Sequence, residues 1–331
     1  MAKLLIIAPK NQRKFSIGLA RTITKVAKDL DCELEFFETF KKGWSQIPKL
    51  LNAYMHSEYV VFISLLQSNI LLTTLAFLPS RPTIWIAFGG DLYDKNYNSL
   101  VFNRLVKKVN IAIVSNEPEG QFVSKKFGIN KTRVILMPVY HANGDPLSSY
   151  INPKQPSPKK YDKKINVLVG NNGYRSQRHP EILSLLLDRP SVGQIGITCA
   201  YGDLEYIRAL EANFGDDGRV KFYKDFMKSE EYINYLAKFD IAIFNNERQQ
   251  GIQTILILLA LGKTIYICKE NGAINLLSEN SLHFFDVQNL LEEELITIDA
   301  TEKSDNQKKA KAFLDDGIFY LEFKDTLLSL F

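Results

Sequence analysis

Cysteine is scarce: Cys32, Cys199 and Cys268 are the only three in 331 residues. They are odd in number and nowhere spaced as CxxC. That argues against structural disulfides and zinc sites, and for a reducing, cytoplasmic setting. Long apolar runs are also missing. No stretch reaches the roughly 18 uncharged apolar residues of a membrane span, and the longest contender, "YVVFISLLQSNILLTTLAFL" (59–78), is broken by Gln67, Ser68 and Asn69. The apolar run inside "MAKLLIIAPKNQRK" is too short for a signal peptide. The four histidines, His56, His141, His179 and His283, show neither HExxH nor HxxE spacing, so no metal is expected. Neither GxGxxG nor GxxxxGK[ST] occurs, which disfavours a single α/β dehydrogenase and excludes a P-loop enzyme. No 20- to 50-residue repeat is visible, so a solenoid is excluded. No basic-aromatic stripe occurs either, and nucleic acid is not an expected partner.

What is present is a soluble globular composition, 46% hydrophobic and 24% charged, at a length that suits two domains. The net charge of +4 is unevenly spread: residues 1–150 hold 19 Lys+Arg against 11 Asp+Glu, and the remainder carries an acidic excess. A basic first half is either a solvated lysine-rich surface or a face for anionic lipid headgroups or a diphosphate-bearing partner.

Short apolar runs alternate with helical patterns of 10–15 residues, which means βαβ units and parallel sheets. The first series runs "KLLIIAP", "CELEFFE", "EYVVFIS", "PTIWIAF" and "IAIVS"; the second runs "INVLVG", "VGQIGITCAYG", "RVKFYKD", "FDIAIFNN" and "KTIYICK". Between them, "INPKQPSPKKYDKK" (151–164) has three prolines and five lysines, a linker composition. The predicted architecture is α/β, with two Rossmann-like domains whose parallel sheets face across a cleft. The expected bounds are 1–152 for the first domain, 153–164 for the linker, 165–305 for the second domain and 306–331 for a helical tail returning to the first. Ligands belong at the carboxyl ends of the strands.

Two strand ends there are dense in polar residues. In "VGNNGYRSQRH" (169–179) the glycines permit a tight turn, the following helix offers free N–H groups to a phosphate, and Arg175 and Arg178 supply forked donors. In "FNNERQQGIQT" (244–254), Gln249, Gln250 and the N–H groups from Gly251 onward can cradle a pyrophosphate without a metal, while Glu247 can accept sugar hydroxyls. Two further turns are more open in meaning. Asp91 in "IAFGGDLYD" is either a general base for an incoming hydroxyl or the cap of the next helix, and Tyr201 in "AYGD" is either a stacking platform or a plain turn residue. Glu117 and Glu119 in "SNEPEGQF" either reach the cleft or begin a helix.

Taken together, "VGNNGYRSQRH" and "FNNERQQGIQT", with "GGDLY" and "YGDLEYI", resemble the bacterial 4-acetamido-4,6-dideoxygalactose (Fuc4NAc) transferases of enterobacterial common antigen. The resemblance covers most of residues 85–265. It implies the GT-B fold, with the acceptor bound by the first domain and the nucleotide-sugar mainly by the second, and a metal-independent, inverting glycosyltransferase with no cofactor. The donor would be a dTDP-linked deoxy amino sugar and the acceptor a lipid-diphosphate-linked saccharide. On this sequence it places the nucleotide diphosphate against Asn171, Gly173, Arg175 and Ser176, with Gln249, Gln250, Gly251 and Thr254. Asp91 becomes the base. A cytoplasmic enzyme, peripheral on the inner face of an anionic membrane, is the setting it implies. Two other readings stay open: the same fold with a UDP- or GDP-sugar and a capsule, O-antigen or protein acceptor, and a non-enzymatic two-domain clamp for a small ligand.

Overall fold

Strands form here where β-branched and aromatic runs end in turn residues. The computed structural model describes residues 2–9, 13–39, 44–65, 69–88, 92, 100–135, 141–142, 145–151, 164–247, 250–315 and 317–331. They divide into two compact units, residues 1–144 with 316–331, and residues 145–315.

The first unit runs β1 (Lys3–Pro9), α1 (Arg13–Asp29), β2 (Glu33–Thr39), α2 (Ile47–Met55), β3 (Tyr59–Ile63) and α3 (Asn69–Phe77). It continues through β4 (Thr83–Ile86), α4 (Leu100–Val106), β5 (Ile111–Val114), α5 (Glu117–Phe127) and β6 (Thr132–Val134). The strands form one parallel sheet in the order β2-β1-β3-β4-β5-β6. Neighbouring residues of each strand point to opposite faces, and both faces are dry. Leu5, Ile7, Val60, Phe62 and Trp85 pack against α2 to α5. Leu4, Ile6, Val61, Ile63 and Ile84 pack on the other face with Leu19, Ile23 and Val26 of α1. Phe319, Phe323 and Leu327, spaced at helical intervals near the end of the chain, complete that second face.

Two two-residue strands, β7 (His141–Ala142) and β8 (Asp145–Pro146), come next in the chain. The expected linker, 153–164, lies outside the described residues apart from Lys164. The second unit then runs β9 (Ile165–Val169), α6 (His179–Leu187), β10 (Val192–Thr198), α7 (Leu204–Phe214), β11 (Val220–Tyr223), α8 (Ser229–Leu236) and β12 (Ile241–Phe244). After these come α9 (Ile252–Ala260), β13 (Thr264–Ile267), α10 (Ala273–Glu279), β14 (Phe285–Asp286), α11 (Asn289–Glu292) and α12 (Ala300–Phe313). Its parallel sheet has the order β11-β10-β9-β12-β13-β14, so the winding reverses between β9 and β12. Connections leaving those two strands diverge to opposite faces and open a crevice at their carboxyl ends.

Helix α9 explains its own sequence, "IQTILILLA": every residue from Thr254 to Ala260 is buried, because α12 packs on the side away from the sheet. Helix α12 opens with a capping box between Asp299 and Glu302. The tail taken from the sequence as one piece, 306–331, is divided. Residues 306–315 stay with the second unit, and α13 (Gly317–Leu328) belongs to the first. Among the described residues no helix is long and apolar enough to cross a membrane.

Candidate active site

Three strand ends of the second unit are stitched together. After β9 the chain makes a turn in which Asn172 Oδ1 accepts from the Tyr174 N–H at 3.0 Å, and Asn172 Nδ2 donates to Asn171 Oδ1 at 3.2 Å. A 3-10 turn, Arg175–Gln177, leads into α6 through Arg178. The turn after β10 lies alongside: the Gly173 N–H donates to Tyr201 O at 2.8 Å, and the Asp203 N–H to Gly173 O at 3.1 Å. Only glycine fits at residue 202, where φ is +145° and a Cβ would lie 2.4 Å from the Gly173 backbone.

The turn after β12 reaches the same place from the other side of the reversal. Ser176 Oγ donates to Gln250 Oε1 at 3.2 Å, and Gln177 Nε2 donates to the same oxygen at 2.6 Å. Gly251 has φ of +75°, and a Cβ there would come within 2.8 Å of the Asn171 amide. Asn171, Gly173, Arg175, Ser176, Gln250 and Gly251, predicted from two stretches some 75 residues apart, thus form one contiguous surface. Helix α9 begins directly after Gly251 with no side chain capping it. Its first-turn N–H groups carry the positive end of the helix dipole.

Arg175, one residue before Ser176 in the β9 turn, is two-thirds exposed and lies against the start of α7. Its Nε donates to Asp203 Oδ2 at 3.2 Å and its guanidinium lies 5.3 Å over the Tyr206 ring. Among the described residues its two terminal nitrogens make no hydrogen bond. Asp203 is held below the usual carboxylate range, first by the Tyr206 backbone N–H, then by that of Glu205 and by Arg175.

Arg178 has a different occupation from the one its sequence position suggests. Its fork is engaged by Glu181, at 2.8 and 2.9 Å, and by Glu247 at 3.3 Å, so it braces α6 against the β12 turn. Glu247 accordingly faces a cation. The Thr254 hydroxyl is likewise engaged, 3.0 Å from the Tyr232 hydroxyl, and the residue is buried. Gln249 and Asp91 lie outside the described residues. Glu119, one of the open cases, serves the start of α5: it accepts from the Ser115 N–H at 3.3 Å while Asn116 Oδ1 accepts from the Glu119 N–H at 2.8 Å. Glu117 is the exposed first residue of that helix.

The turns after β9, β10 and β11 also expose aromatic rings. Tyr201 and Phe226 are parallel within 4° at a 6.0 Å centroid separation, and Tyr174 meets Tyr201 edge-on at 6.1 Å. Phe226, from the turn after β11, was not singled out in the sequence, and neither was the fully buried Gln177. Beneath the β9 turn, His179 is completely buried, with Nδ1 3.2 Å from the Tyr206 hydroxyl. Burial pulls its pKa down to about 4, so the imidazole is neutral near pH 7. Among the described residues no group of three or more His, Cys, Asp or Glu is placed to hold a metal ion.

Two units, each built on a six-stranded parallel sheet with helices, have the architecture of the GT-B fold, and solved structures of that fold agree. A glycosyltransferase from Rickettsia africae ESF-5 superposes with a TM-score of 0.62 at 13% identity, covering 99% of this chain and 97% of that one. Anabaena Alr3699/HepE, solved with UDP-glucose, gives 0.66 at 16%, covering 99% and 100%. The lipopolysaccharide outer core galactosyltransferase WaaB gives 0.66 at 11%, again covering 99% and 100%. At these identities the likeness is one of fold. A family model described as 4-alpha-L-fucosyltransferase, glycosyl transferase group 56, matches residues 50–329, and the chain belongs to that family. It is therefore a nucleotide-sugar glycosyltransferase, and the clamp without enzymatic activity is set aside.

Proposed function

We propose that this enzyme moves a deoxy amino sugar from a dTDP-linked, Fuc4NAc-like donor to a saccharide carried on a lipid diphosphate, without a metal and with inversion at the anomeric carbon. The acceptor hydroxyl attacks that carbon from the face opposite the nucleotide. The bond from the carbon to the diphosphate oxygen breaks, its electron pair leaves with dTDP, and the hydroxyl proton passes to a base. Asp91, which follows β4 in the chain, is the candidate for that base.

The observation that carries this reading is the lock between the β9 turn and the start of α9, through Ser176, Gln177 and Gln250. Fixed donors aimed where charge develops need no reorganisation during the reaction, and one well-placed donor is worth roughly 2.7–4 kcal/mol. The uncapped α9 start and the two terminal nitrogens of Arg175 are the donors this reading assigns to the departing diphosphate. The rings of Tyr201 and Phe226 offer a flat nucleobase a stacking face beside them. The basic excess of residues 1–150 favours a lipid-linked acceptor at an anionic membrane face.

Thermal shifts of the full chain with dTDP, UDP and GDP, with and without EDTA, test the donor. A larger shift with dTDP, unchanged by EDTA, supports the proposal. A preference for UDP favours a second reading, to which the UDP-glucose held by HepE lends weight. NMR of the glycosidic product reads inversion directly. An Asp91→Ala variant with full transferase activity removes that residue from the mechanism.

A further inference from the structure

The buried amide of Gln177 has only one orientation open to it. Its oxygen accepts from the Asn171 backbone N–H at 3.1 Å, and a backbone N–H can only donate. The opposite end of the amide is therefore its NH2, which donates to Gln250 Oε1. The Ser176 hydroxyl donates to that same oxygen. With its oxygen taken twice, Gln250 is left with its NH2 as the end that faces a ligand, and among the described residues that NH2 has no hydrogen-bond partner.

We infer that Gln177 is a positioning residue that fixes the polarity of Gln250, making it a donor toward the diphosphate of the nucleotide-sugar. The inference rests on the donor reading above. A backbone N–H anchors this series of hydrogen bonds, so both amides have a defined orientation where side-chain amides are otherwise ambiguous. It also specifies a chemistry. Gln250 held this way, next to the N–H groups of α9, presents donors alone. Such a surface suits phosphoryl oxygens, which only accept, better than sugar hydroxyls, which do both. With the Gln250 amide reversed, its carbonyl oxygen would oppose the phosphate.

Gln177→Glu tests this with little change of shape. The carboxylate still accepts from Asn171 but has nothing to donate, so Gln250 turns its NH2 inward. Binding of dTDP and UDP to the full chain is measured by calorimetry at about pH 8.5, where the new carboxylate is ionised, alongside Gln250→Ala and the double variant. Each single change is expected to weaken nucleoside diphosphate binding roughly ten- to a hundredfold. The double variant should bind no more weakly than Gln250→Ala, because Gln177 acts through Gln250. Binding of thymidine or uridine, which lack phosphate, should be unchanged by all three.

Additive losses would show that the new charge repels the ligand directly, and would overturn the relay. So would undiminished diphosphate binding in either single variant. If the unsubstituted chain binds no nucleoside diphosphate, the donor reading itself falls instead. Should Gln177→Glu fail to fold, NMR of the unsubstituted chain keeps the question open to test. The Gln250 side-chain NH2 resonances, assigned by their loss in Gln250→Ala, must shift on adding dTDP or UDP; unmoved resonances in a ligand-saturated sample refute the relay.

Discussion

Helices α5 and α9 both follow a wholly buried four-residue strand, and they begin in opposite ways. Helix α5 is capped: Asn116 accepts from the Glu119 N–H, and Pro118 has no N–H to satisfy. The Glu119 carboxyl, its pKa raised above the ordinary range by burial, accepts from the Ser115 N–H just ahead of the helix. Helix α9 has Gly251 before it and no side-chain cap. A capped helix start has spent its donors on the protein. A bare one leaves them available, and the proposed phosphate site at α9 draws on that difference.

That contrast can be attacked at four points, taken from the strongest expected effect downward. Arg175→Ala removes the exposed cation of the β9 turn, a turn bonded through Ser176 and Gln177 to the residue before Gly251. It should lower kcat by about 10²- to 10³-fold, as loss of a single charge-stabilising donor does, and steady-state kinetics with the preferred donor will show whether it does. Acid should act on the same region through His179. Its folded pKa of about 4 lies below the ordinary 6.5, so the unfolded chain binds the proton more readily between those values. Stability is then complete above about pH 6.5, declines as the pH falls toward 4, and levels off below that. The full difference is about 3 kcal/mol at 1.36 kcal/mol per pKa unit. Urea unfolding at pH 7 and pH 4.5 measures it, and His179→Gln should flatten the slope.

Next, Gly251→Val forces a β-branched residue to a φ of +75° and into the Asn171 side chain. The strain should cost on the order of 1–3 kcal/mol, and by spreading the two turns it should weaken nucleotide binding as well. Equilibrium unfolding and calorimetry on one preparation separate those effects. The smallest change is expected at the capped helix: Asn116→Ala should cost about 1 kcal/mol of stability and leave nucleotide affinity alone. A binding defect in that variant would erase the distinction between the two helix starts.

The strands, their parallel arrangement and the two polar turns were all legible in the sequence, because they depend on local pattern: runs of β-branched residues, glycines after them, helical spacing next. What local pattern does not carry is which side chain each polar group meets. Arg178 was readable as a phosphate donor, yet its fork is claimed by Glu181 and by Glu247, 69 residues away in the chain. Thr254 reads as a ligand group until Tyr232 is found 3.0 Å from its hydroxyl. Gln177 sat inside the quoted motif with nothing to separate it from its neighbours. Burial, a property of the packed fold, gives it its part. Phe226 joins Tyr201 only because β11 lies beside β10.

The last helix carries a consequence of its own. Because α13 lies on the sheet that the first residues build, the chain starts and finishes in one unit and reaches the other by an excursion, residues 145–315. The excursion is a continuous length, so two cuts in the chain separate it. The remainder cannot be made by simple truncation, since any N-terminal fragment lacking residues 316–331 leaves bare the sheet face that Phe319, Phe323 and Leu327 cover. A faithful first unit has to be built by joining residues 1–144 to 316–331 through a short designed bridge.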